Sequence, residues 1–191
     1  MIKLTSLLLI FCAFIFDVNA QQTHRYNLTQ LLNEKKLETD TATKINILDD
    51  KDHAGAITIK GTAWLKNASF TKGTIDVDLR GKNVFLQSFL GIAFHGVNDS
   101  TYDVVYFRPY DKLRKEHPLV YENAVTPVPD PDDWFHATIV IADDSATVYV
   151  NRSSTASLKV RLLNNRRDGK IGLWSYTPSV SGDFADLIIK Q

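Results

Sequence analysis

The chain is poor in cysteine, with a single one, Cys12, among its 191 residues. Cys12 lies inside an apolar run near the N-terminus, and we expect it to be removed together with that run. The remaining chain then forms no disulfide, although small exported domains often depend on them. A chain of this length can bury a hydrophobic core of its own. The shortage of cysteine therefore predicts a fold that its core alone holds together.

The chain also lacks an excess of charge of either sign. It has 22 Lys and Arg against 22 Asp and Glu, and removing Lys3 and Asp17 with the N-terminal run keeps that balance. Proteins that bind nucleic acid usually carry a basic surface, because they neutralise phosphates. We therefore expect no nucleic-acid partner.

Long apolar runs are missing apart from the first one. Lys3 precedes the run Leu7–Phe16, and the small-residue site Val18–Ala20 follows it. The run is too short to span a bilayer, which needs about 20 residues, and its flanks are those of a secretory signal peptide. We expect residues 1–20 to be a signal peptide. The chain from Gln21 is then secreted or periplasmic, without membrane insertion.

Several catalytic templates are missing as well. No cysteine nucleophile remains after the N-terminal run, and no Gly-x-Ser-x-Gly elbow occurs. The five histidines do not have the spacing of a zinc motif. Carboxylates therefore remain as the main candidates for catalysis. The histidines are His24, His53, His95, His117 and His136.

The pattern that is present consists of short strand-like segments separated by Gly, Asn, Asp or Pro. One helical pattern occurs, at 27–40, which Asn27 or Thr29 can cap. Ten short strands at this spacing favour an all-β, antiparallel two-sheet sandwich over a βαβ fold. The predicted strands are Ile45–Leu48, Ala56–Ile59, Thr74–Leu79, Leu90–Phe94, Val104–Phe107, Phe135–Ile141, Thr147–Val150, Leu158–Leu162, Ile171–Trp174 and Ala185–Ile189.

The chain has no fixed-period repeat and no low-complexity linker, which indicates one domain. We assign residues 45–191 to the sandwich and residues 21–44 to an N-terminal extension in which a short helix can form. The last strand, Ala185–Ile189, is expected to pair within a sheet. Trp174 ends an apolar segment between two turns, so we expect it to be mostly buried.

Three segments resemble a known family. They are Tyr102–Pro109 (YDVVYFRP) and two turn-rich loops that run into strands and carry a tryptophan, Tyr121–Ile141 and Gly169–Lys190. Together they resemble secreted laminin-G-like, concanavalin A-like sandwich domains. The nearest branch is the one named after 3-keto-disaccharide hydrolases and grouped with family 16 glycoside hydrolases. The resemblance begins near Gly73 and implies a concanavalin A-like jelly roll that acts on or binds carbohydrate.

Alternation along three of the predicted strands indicates a polar open face. Asp76 and Asp78 point away from the apolar side chains of their strand, and so do His95, Tyr106 and Arg108 on theirs. If these strands are neighbours, the five side chains meet on one face. Sugar sites combine aromatic walls with a few placed polar groups, so we predict that His95, Tyr106 and Arg108 bind a ligand. A purely structural cross-strand ladder is the alternative.

Asp76 and Asp78 are also the candidates for catalysis. Two residues apart on one strand, they lie about 6–7 Å from each other, and glycosidase carboxyl pairs are separated by about 5–10 Å. Family 16 enzymes place their carboxyls on one strand with glutamates at the ends of the motif, but no predicted strand here contains a glutamate. A solvated polar face is the alternative interpretation.

Three aspartates, Asp130, Asp132 and Asp133, gather beside Trp134 in a proline-rich loop. Calcium prefers oxygen ligands, and concanavalin A-like and laminin-G domains often carry a calcium site, so these are the candidate metal ligands. Asp-Pro steps are also common in turns without any ion. We expect that no cofactor is required and that calcium is the candidate ion.

The leading hypothesis is an exported, lectin-like domain that binds a glycan or polysaccharide without catalysis. The segment Tyr110–Tyr121 is short for the family, and loops at a sandwich rim commonly build the ligand site, which favours binding or a structural role over hydrolysis. One alternative is a hydrolase of the 3-keto-disaccharide or family 16 type that uses the open-face aspartates; the other is a protein-interaction module. An enzyme requires a pocket with convergent carboxyls and at least one raised pKa. A lectin requires an aromatic-lined groove without such a pair, and a protein-interaction module requires a flat apolar patch.

Overall fold

The computed structural model describes residues 21–109, 129–176 and 180–191. These residues contain twelve strands and one short helix. In chain order the elements are β1 (Thr23–Tyr26), α1 (Leu28–Asn33), β2 (Leu37–Thr39), β3 (Lys44–Ile47), β4 (Ile57–Ser69), β5 (Gly73–Arg80), β6 (Leu90–Asn98), β7 (Thr101–Phe107), β8 (Phe135–Ile141), β9 (Ser145–Val150), β10 (Leu158–Arg161), β11 (Lys170–Ser175) and β12 (Gly182–Lys190).

The strands form two antiparallel sheets that share one long strand. In sheet A the order is β10-β9-β8-β5-β12. The other edge of β12 pairs with β1 and with the first part of β4. β3 pairs with that same part of β4. In sheet B the order is β2-β4-β11-β6-β7. The predicted all-β, antiparallel two-sheet jelly roll is confirmed.

The shared strand, β4, changes sheet at a glycine. Its first residues pair with β3 in sheet A, and from Gly61 onward it pairs with β11 in sheet B. Gly61 has a φ of +118°, and a Cβ atom there would lie 2.3 Å from Thr43 Oγ1 and 2.9 Å from Thr43 Cα. A side chain would meet both a strained backbone and a closed space, so the crossing requires glycine.

The hydrophobic core fills the space between the sheets. Along β8 the residues Phe135, Ala137, Ile139 and Ile141 are buried and alternate with more exposed ones, as a strand with one inner face requires. Each fully buried large apolar side chain stabilises the fold by about 1.5–3 kcal/mol. Since no cysteine follows residue 20, this burial holds the two sheets together without disulfides.

All ten predicted strands are present, and most extend a few residues beyond the predicted ends. The sequence pattern missed β1, β2 and the second part of β4. β1 and β2 are only four and three residues long, and most of their residues are exposed, so they lack the apolar alternation that reveals a strand.

The N-terminal segment joins both sheets. Asn27 caps α1, accepting a hydrogen bond from the backbone N–H of Gln30 at 2.9 Å, and the helix ends at Asn33, before β2. β1 pairs with β12, and β2 and β3 pair with β4. At the other end, β12 pairs with β5, which confirms the expected C-terminal strand.

In the described part of the chain, no helix has the length and hydropathy needed to cross a membrane. The predicted signal peptide at 1–20 lies outside the described residues, as does the whole of the short segment Tyr110–Tyr121.

Gly61→Ala should destabilise the protein, because alanine is strained at a positive φ and its Cβ would meet Thr43. The free energy of unfolding is expected to fall by more than about 1 kcal/mol, measured by urea denaturation. Lys66→Ala, an exposed position on the same strand, is the control and should change stability by no more than about 0.5 kcal/mol. Equal effects of the two variants would contradict the role given to Gly61.

Candidate functional site

The outer faces of the two sheets have different chemistry. The outer side of sheet B carries aromatic rings, and we call Phe89, Tyr102, Tyr106, Trp174 and Tyr176 the aromatic face. The outer side of sheet A carries acidic and basic side chains, and we call the surface of β5, β8 and β12 with the adjoining loop before β4 the charged face. Because the inner sides of the sheets pack against each other, these two faces lie on opposite sides of the molecule.

Four rings of the aromatic face form a continuous row. Trp174 stacks with Tyr176, with ring centroids 5.8 Å apart and planes inclined by 15°. On its other side Trp174 meets Tyr106 at 5.7 Å, and Tyr106 meets Phe89 at 6.0 Å. Tyr106 and Tyr176 are 48% and 69% exposed, so the row presents two open rings on either side of a covered one.

A glycine on β6 makes this row possible. Gly91 lies directly opposite Trp174 on β11 and directly opposite Tyr106 on β7. It has no side chain to separate the two, so the rings of Trp174 and Tyr106 meet across the strand that lies between their own. The next row of residues repeats the pattern, with Trp64 opposite Gly172 and Gly172 opposite Ala93.

Trp174 is fixed in place by its neighbours. Its indole Nε1 donates a hydrogen bond to Tyr102 Oη at 3.0 Å, and Tyr102 meets Trp64 edge to face at 5.5 Å. Trp174 is 9% exposed, which confirms the predicted burial, but it packs with Trp64 and Ala93 outside the core between the sheets. The centre of the aromatic face is therefore rigid.

Arg108 lies at one end of the row. Its Cζ atom is 5.2 Å from the centroid of the Phe89 ring, a distance typical of a cation–π contact. The side chain is exposed, and among the described residues it has no hydrogen-bond or ion-pair partner. Its planar set of N–H donors is thus open to an acceptor that approaches along the rings.

On the charged face, hydrogen bonds join β5, β8 and β12. His136 Nδ1 donates to Asp78 Oδ1 at 2.5 Å. Thr138 Oγ1 donates to Asp76 Oδ1 at 2.7 Å, and Lys190 Nζ donates to Asp76 Oδ2 at 2.8 Å. The two aspartates therefore face outward from sheet A, but Asp76 is only 9% exposed, and both are engaged by neighbouring side chains.

The surroundings of these groups shift their pKa values. Burial opposes the ionisation of Asp76 and Asp78, but the hydrogen bonds from Lys190, Thr138 and His136 outweigh it, so the pKa of each aspartate is lowered. The hydrogen bond to Asp78 outweighs burial at His136 and raises its pKa. Both carboxylates are therefore held ionised, whereas a carboxyl that acts as a general acid needs a raised pKa.

An open groove of about 530 Å³ lies beside these residues, lined by charged, polar and apolar side chains. Arg152, at its rim, has no hydrogen-bond or ion-pair partner within the described ranges. The lining residues are Asp76, His136, Thr138, Tyr149, Arg152, Ser153, Ile188 and Lys190.

The charged face continues past Asp78 to the loop before β4. His53 Nε2 lies 3.3 Å from Asp78 Oδ2, and His53 Nδ1 lies 3.4 Å from Asp50 Oδ1. The ring of His53 stacks on Trp134 at 4.1 Å, and Trp134 Nε1 donates to Asp50 Oδ2 at 3.0 Å. Trp134 is therefore a packing residue of the charged face.

The structure does not bring the five predicted open-face residues together. Asp76 and Asp78 lie on the charged face, between β8 and β12, whereas Tyr106 and Arg108 lie on or beside the aromatic face. The strands that carry them belong to different sheets, and alternation along each strand does not show which strands are neighbours.

The prediction for His95 fails for a different reason, because this side chain is fully buried and does not point outward. The register of β6 is irregular just after Phe94, and His95 has a φ of +50°. Its ring lies between Phe70 and Phe94, and Nε2 donates to the carbonyl oxygen of Thr71 at 2.7 Å. An irregular strand breaks the two-residue alternation, so the prediction that His95 points outward onto an open face is wrong.

The aspartates predicted as calcium ligands take part in turn hydrogen bonds. Asp130 Oδ1 accepts from the backbone N–H of Asp132 at 2.9 Å, and Asp132 Oδ1 accepts from the backbone N–H of Asn83 at 3.2 Å. Asp133 N–H donates to the carbonyl oxygen of Asp130 at 3.1 Å. These contacts agree with the turn interpretation of the loop, and a calcium ion there remains a prediction.

Several residues of both faces were not singled out from the sequence. His136 and Thr138 alternate with the buried residues of β8, so the alternation rule identifies them as outward. Phe89 and Tyr176 lie just outside strands, where alternation does not predict which way a side chain points. His53 and Asp50 lie in a loop whose position depends on the fold.

Trp174→Ala should remove a buried ring and leave a cavity beside Trp64. The free energy of unfolding is expected to fall by about 3–5 kcal/mol, measured by chemical denaturation. Tyr176→Ala removes the exposed ring of the same stack and should cost no more than about 0.5 kcal/mol. A Trp174→Ala variant of unchanged stability would show that Trp174 does not fix the aromatic face.

Comparisons with known proteins identify the fold. No model of a protein family and no curated protein sequence matches the chain. Among solved structures, a candidate glycosyl hydrolase from Parabacteroides distasonis matches with a TM-score of 0.63 and 13% identity, over 87% of this chain and 98% of that one.

Two further solved structures are similar. A second candidate glycosyl hydrolase from Parabacteroides distasonis has a TM-score of 0.52 and 13% identity, over 85% of this chain and 97% of that one. A Bacillus subtilis protein of unknown function, described as having a galectin-like fold, has a TM-score of 0.56 and 12% identity, over 90% of this chain and 98% of that one. At this identity the likeness is one of fold, and the chain has the fold of these β-sandwich proteins.

Proposed function

We propose that the protein is a glycan-binding, lectin-like domain without catalytic activity, and that the aromatic face of sheet B is its binding site. The observation that carries this proposal is the ring row, in which the exposed Tyr106 and Tyr176 flank the rigid Trp174. The predicted contacts of Tyr106 and Arg108 belong to this site, whereas His95 does not.

The chemistry of the aromatic face suits a sugar. A pyranose ring has faces of C–H groups that pack on aromatic rings, and hydroxyl groups around its edge that need hydrogen-bond partners. Tyr106 and Tyr176 offer exposed rings together with phenol hydroxyls, since a tyrosine combines an apolar body with a polar tip. Arg108 adds several N–H donors at one end of the row. Apolar walls with a few placed polar groups are the usual composition of a ligand site.

The fold and the N-terminal sequence support the same proposal. Two of the structurally similar proteins are described as candidate glycosyl hydrolases, which agrees with a carbohydrate ligand. The signal-like pattern of residues 1–20 supports export, and we place the protein outside the cytoplasm, where it meets extracellular or periplasmic glycans.

The hydrolase alternative rests on Asp76 and Asp78, which are carboxylates on an outer face. Both have lowered pKa values and are engaged by His136, Thr138 or Lys190, so neither is suited to act as a general acid. They also lie on the opposite side of the sandwich from the aromatic face. These two observations favour binding over hydrolysis.

The binding site can be tested with three matched tyrosine variants. After a glycan-array screen of the wild-type protein, the Kd for the best glycan is measured by calorimetry. Tyr106→Ala and Tyr176→Ala should each weaken binding by about 5- to 100-fold, since losing a stacked ring costs about 1–3 kcal/mol. Tyr149→Ala, which removes a ring from the groove of the charged face, is the control and should leave Kd unchanged.

The outcomes separate the candidate functions. Loss of affinity in the Tyr149 variant alone would move the site to the charged face and overturn the proposal. An array without any glycan hit, together with capture of a protein through the same tyrosines, would favour the protein-interaction alternative. Melting temperatures of all three variants should stay within a few degrees of wild type, because these rings are not in the core.

Asp76→Asn separates binding from hydrolysis. We expect an unchanged glycan Kd, because Asp76 lies on the other side of the sandwich from the rings. We also expect no release of reducing sugar by the wild-type protein from any glycan that it binds. Hydrolysis by the wild type that falls by orders of magnitude in this variant would establish the enzyme alternative.

A further inference from the structure

Three side chains on the charged face converge from distant parts of the chain. His53 comes from the loop before β4, Asp78 from β5 and Asp186 from β12. Each offers one nitrogen or oxygen atom to the group, and these three atoms lie within 4.8 Å of one another. The glycan proposal for the opposite face does not use this cluster.

An irregularity of β12 brings Asp186 to this position. The register between β12 and β5 shifts between Ala185 and Ile188, and Asp186 has a φ of +50°. Ala185 itself lies opposite Asp78, so the bulge turns the next carboxylate toward the same surface. Asp186 is exposed, and within the described ranges it has no hydrogen-bond or ion-pair partner.

The surroundings of His53 indicate which of its nitrogens faces the cluster. Nδ1 is buried without a hydrogen bond among the described residues, and Asp50 Oδ1 lies 3.4 Å from it. Asp50 also accepts a hydrogen bond from the backbone N–H of His53 at 3.2 Å, and the stack on Trp134 holds the ring. In the tautomer with its proton on Nδ1, beside Asp50, the Nε2 lone pair is directed at Asp78.

In this tautomer, hydrogen-bond acceptors of His53 and Asp78 face each other. His53 Nε2 and Asp78 Oδ2 lie 3.3 Å apart, and the carboxylate of Asp186 is nearby. Two acceptors at this distance repel unless a cation lies between them. Of the nearby cations, Arg80 pairs with Asp50 and Asp183, and Lys190 pairs with Asp76. His136 donates to the other oxygen of Asp78, and Arg152 acts on Asp78 without a direct contact.

We propose that His53, Asp78 and Asp186 bind a divalent transition-metal ion of the zinc, cobalt or manganese class. One imidazole nitrogen and two carboxylate oxygens suit such ions, whereas calcium and magnesium prefer oxygen ligands alone. Three protein ligands leave at least one coordination position for water or another ligand.

The groups around the three ligands are placed like the residues that surround and orient the ligands in many metal sites. Asp50 Oδ1 lies 3.4 Å from Nδ1 of the ligand histidine, where many metal sites place a carboxylate, and His136 donates to the second oxygen of Asp78 at 2.5 Å. Such partners orient the ligands and raise metal affinity. The ion joins β5, β12 and the loop before β4, so we assign it a stabilising role.

The test uses tag-free protein that has been treated with a chelator and dialysed. Zn²⁺, Co²⁺, Mn²⁺, Ca²⁺ and Mg²⁺ are titrated separately by calorimetry and followed by thermal unfolding. One transition-metal ion per chain should bind. At about 100 times its Kd it should raise Tm by at least about 5 °C, through preferential binding to the folded state. With Co²⁺, the visible absorption spectrum reports coordination by a nitrogen ligand.

Two ligand variants and one control identify the residues. Asp186→Asn and His53→Gln should each weaken transition-metal binding more than about 10-fold, since even an outer-shell partner is worth 10- to 100-fold. Asp133→Asn replaces an exposed aspartate of the loop first considered for calcium and should leave the affinity unchanged. Asp186 is exposed, so its variant keeps the fold even if His53→Gln does not.

Several results would overturn the proposal. They are absence of binding by all transition-metal ions, binding of calcium alone, and unchanged affinity in Asp186→Asn. Glycan binding on the aromatic face should be the same with and without the metal, so this test and the test of the proposed function fail independently.

Discussion

The burial of the two inner faces is the constraint on which the rest of the structure depends. Without cysteine after residue 20, the sheets are held together by the alternate apolar side chains that each strand directs inward. Because those positions are committed to the core, function is restricted to the outer faces, the strand ends and the loops. β4 connects the two halves of this arrangement, and its change of sheet depends on the positive φ of Gly61.

The two outer faces then acquire separate chemistry. On sheet B, glycines beside the large rings allow Trp174 and Tyr106 to meet across β6, which creates a continuous apolar surface. On sheet A, the outward positions of β5 and β8 carry carboxylates, a histidine and a threonine that bond to each other. One face is suited to rings with C–H surfaces, and the other to ions.

At the bulges of β6 and β12, the two-residue alternation no longer predicts which way a side chain points. Irregular register in β6 accompanies the burial of His95 among aromatic rings, and irregular register in β12 turns Asp186 toward Asp78. Both residues have a positive φ, which is uncommon for residues other than glycine and is concentrated at functional or strained sites. Neither irregularity follows from the sequence pattern, since each depends on pairing with strands from other parts of the chain.

The sequence by itself determined ten of the twelve strands, though not the full length of β4, and much of their sidedness. A period of two residues is a local property, so the direction of Asp76, Asp78 and Tyr106 followed from their own strands. The choice of neighbours is not local, because hydrogen bonding between strands joins residues more than a hundred positions apart, such as Asp76 and Ile188. Only the tertiary structure placed Tyr106 and the aspartates on opposite faces. It also decided that His53 from a loop and Asp186 from a bulge meet at Asp78, since both positions depend on packing between distant segments.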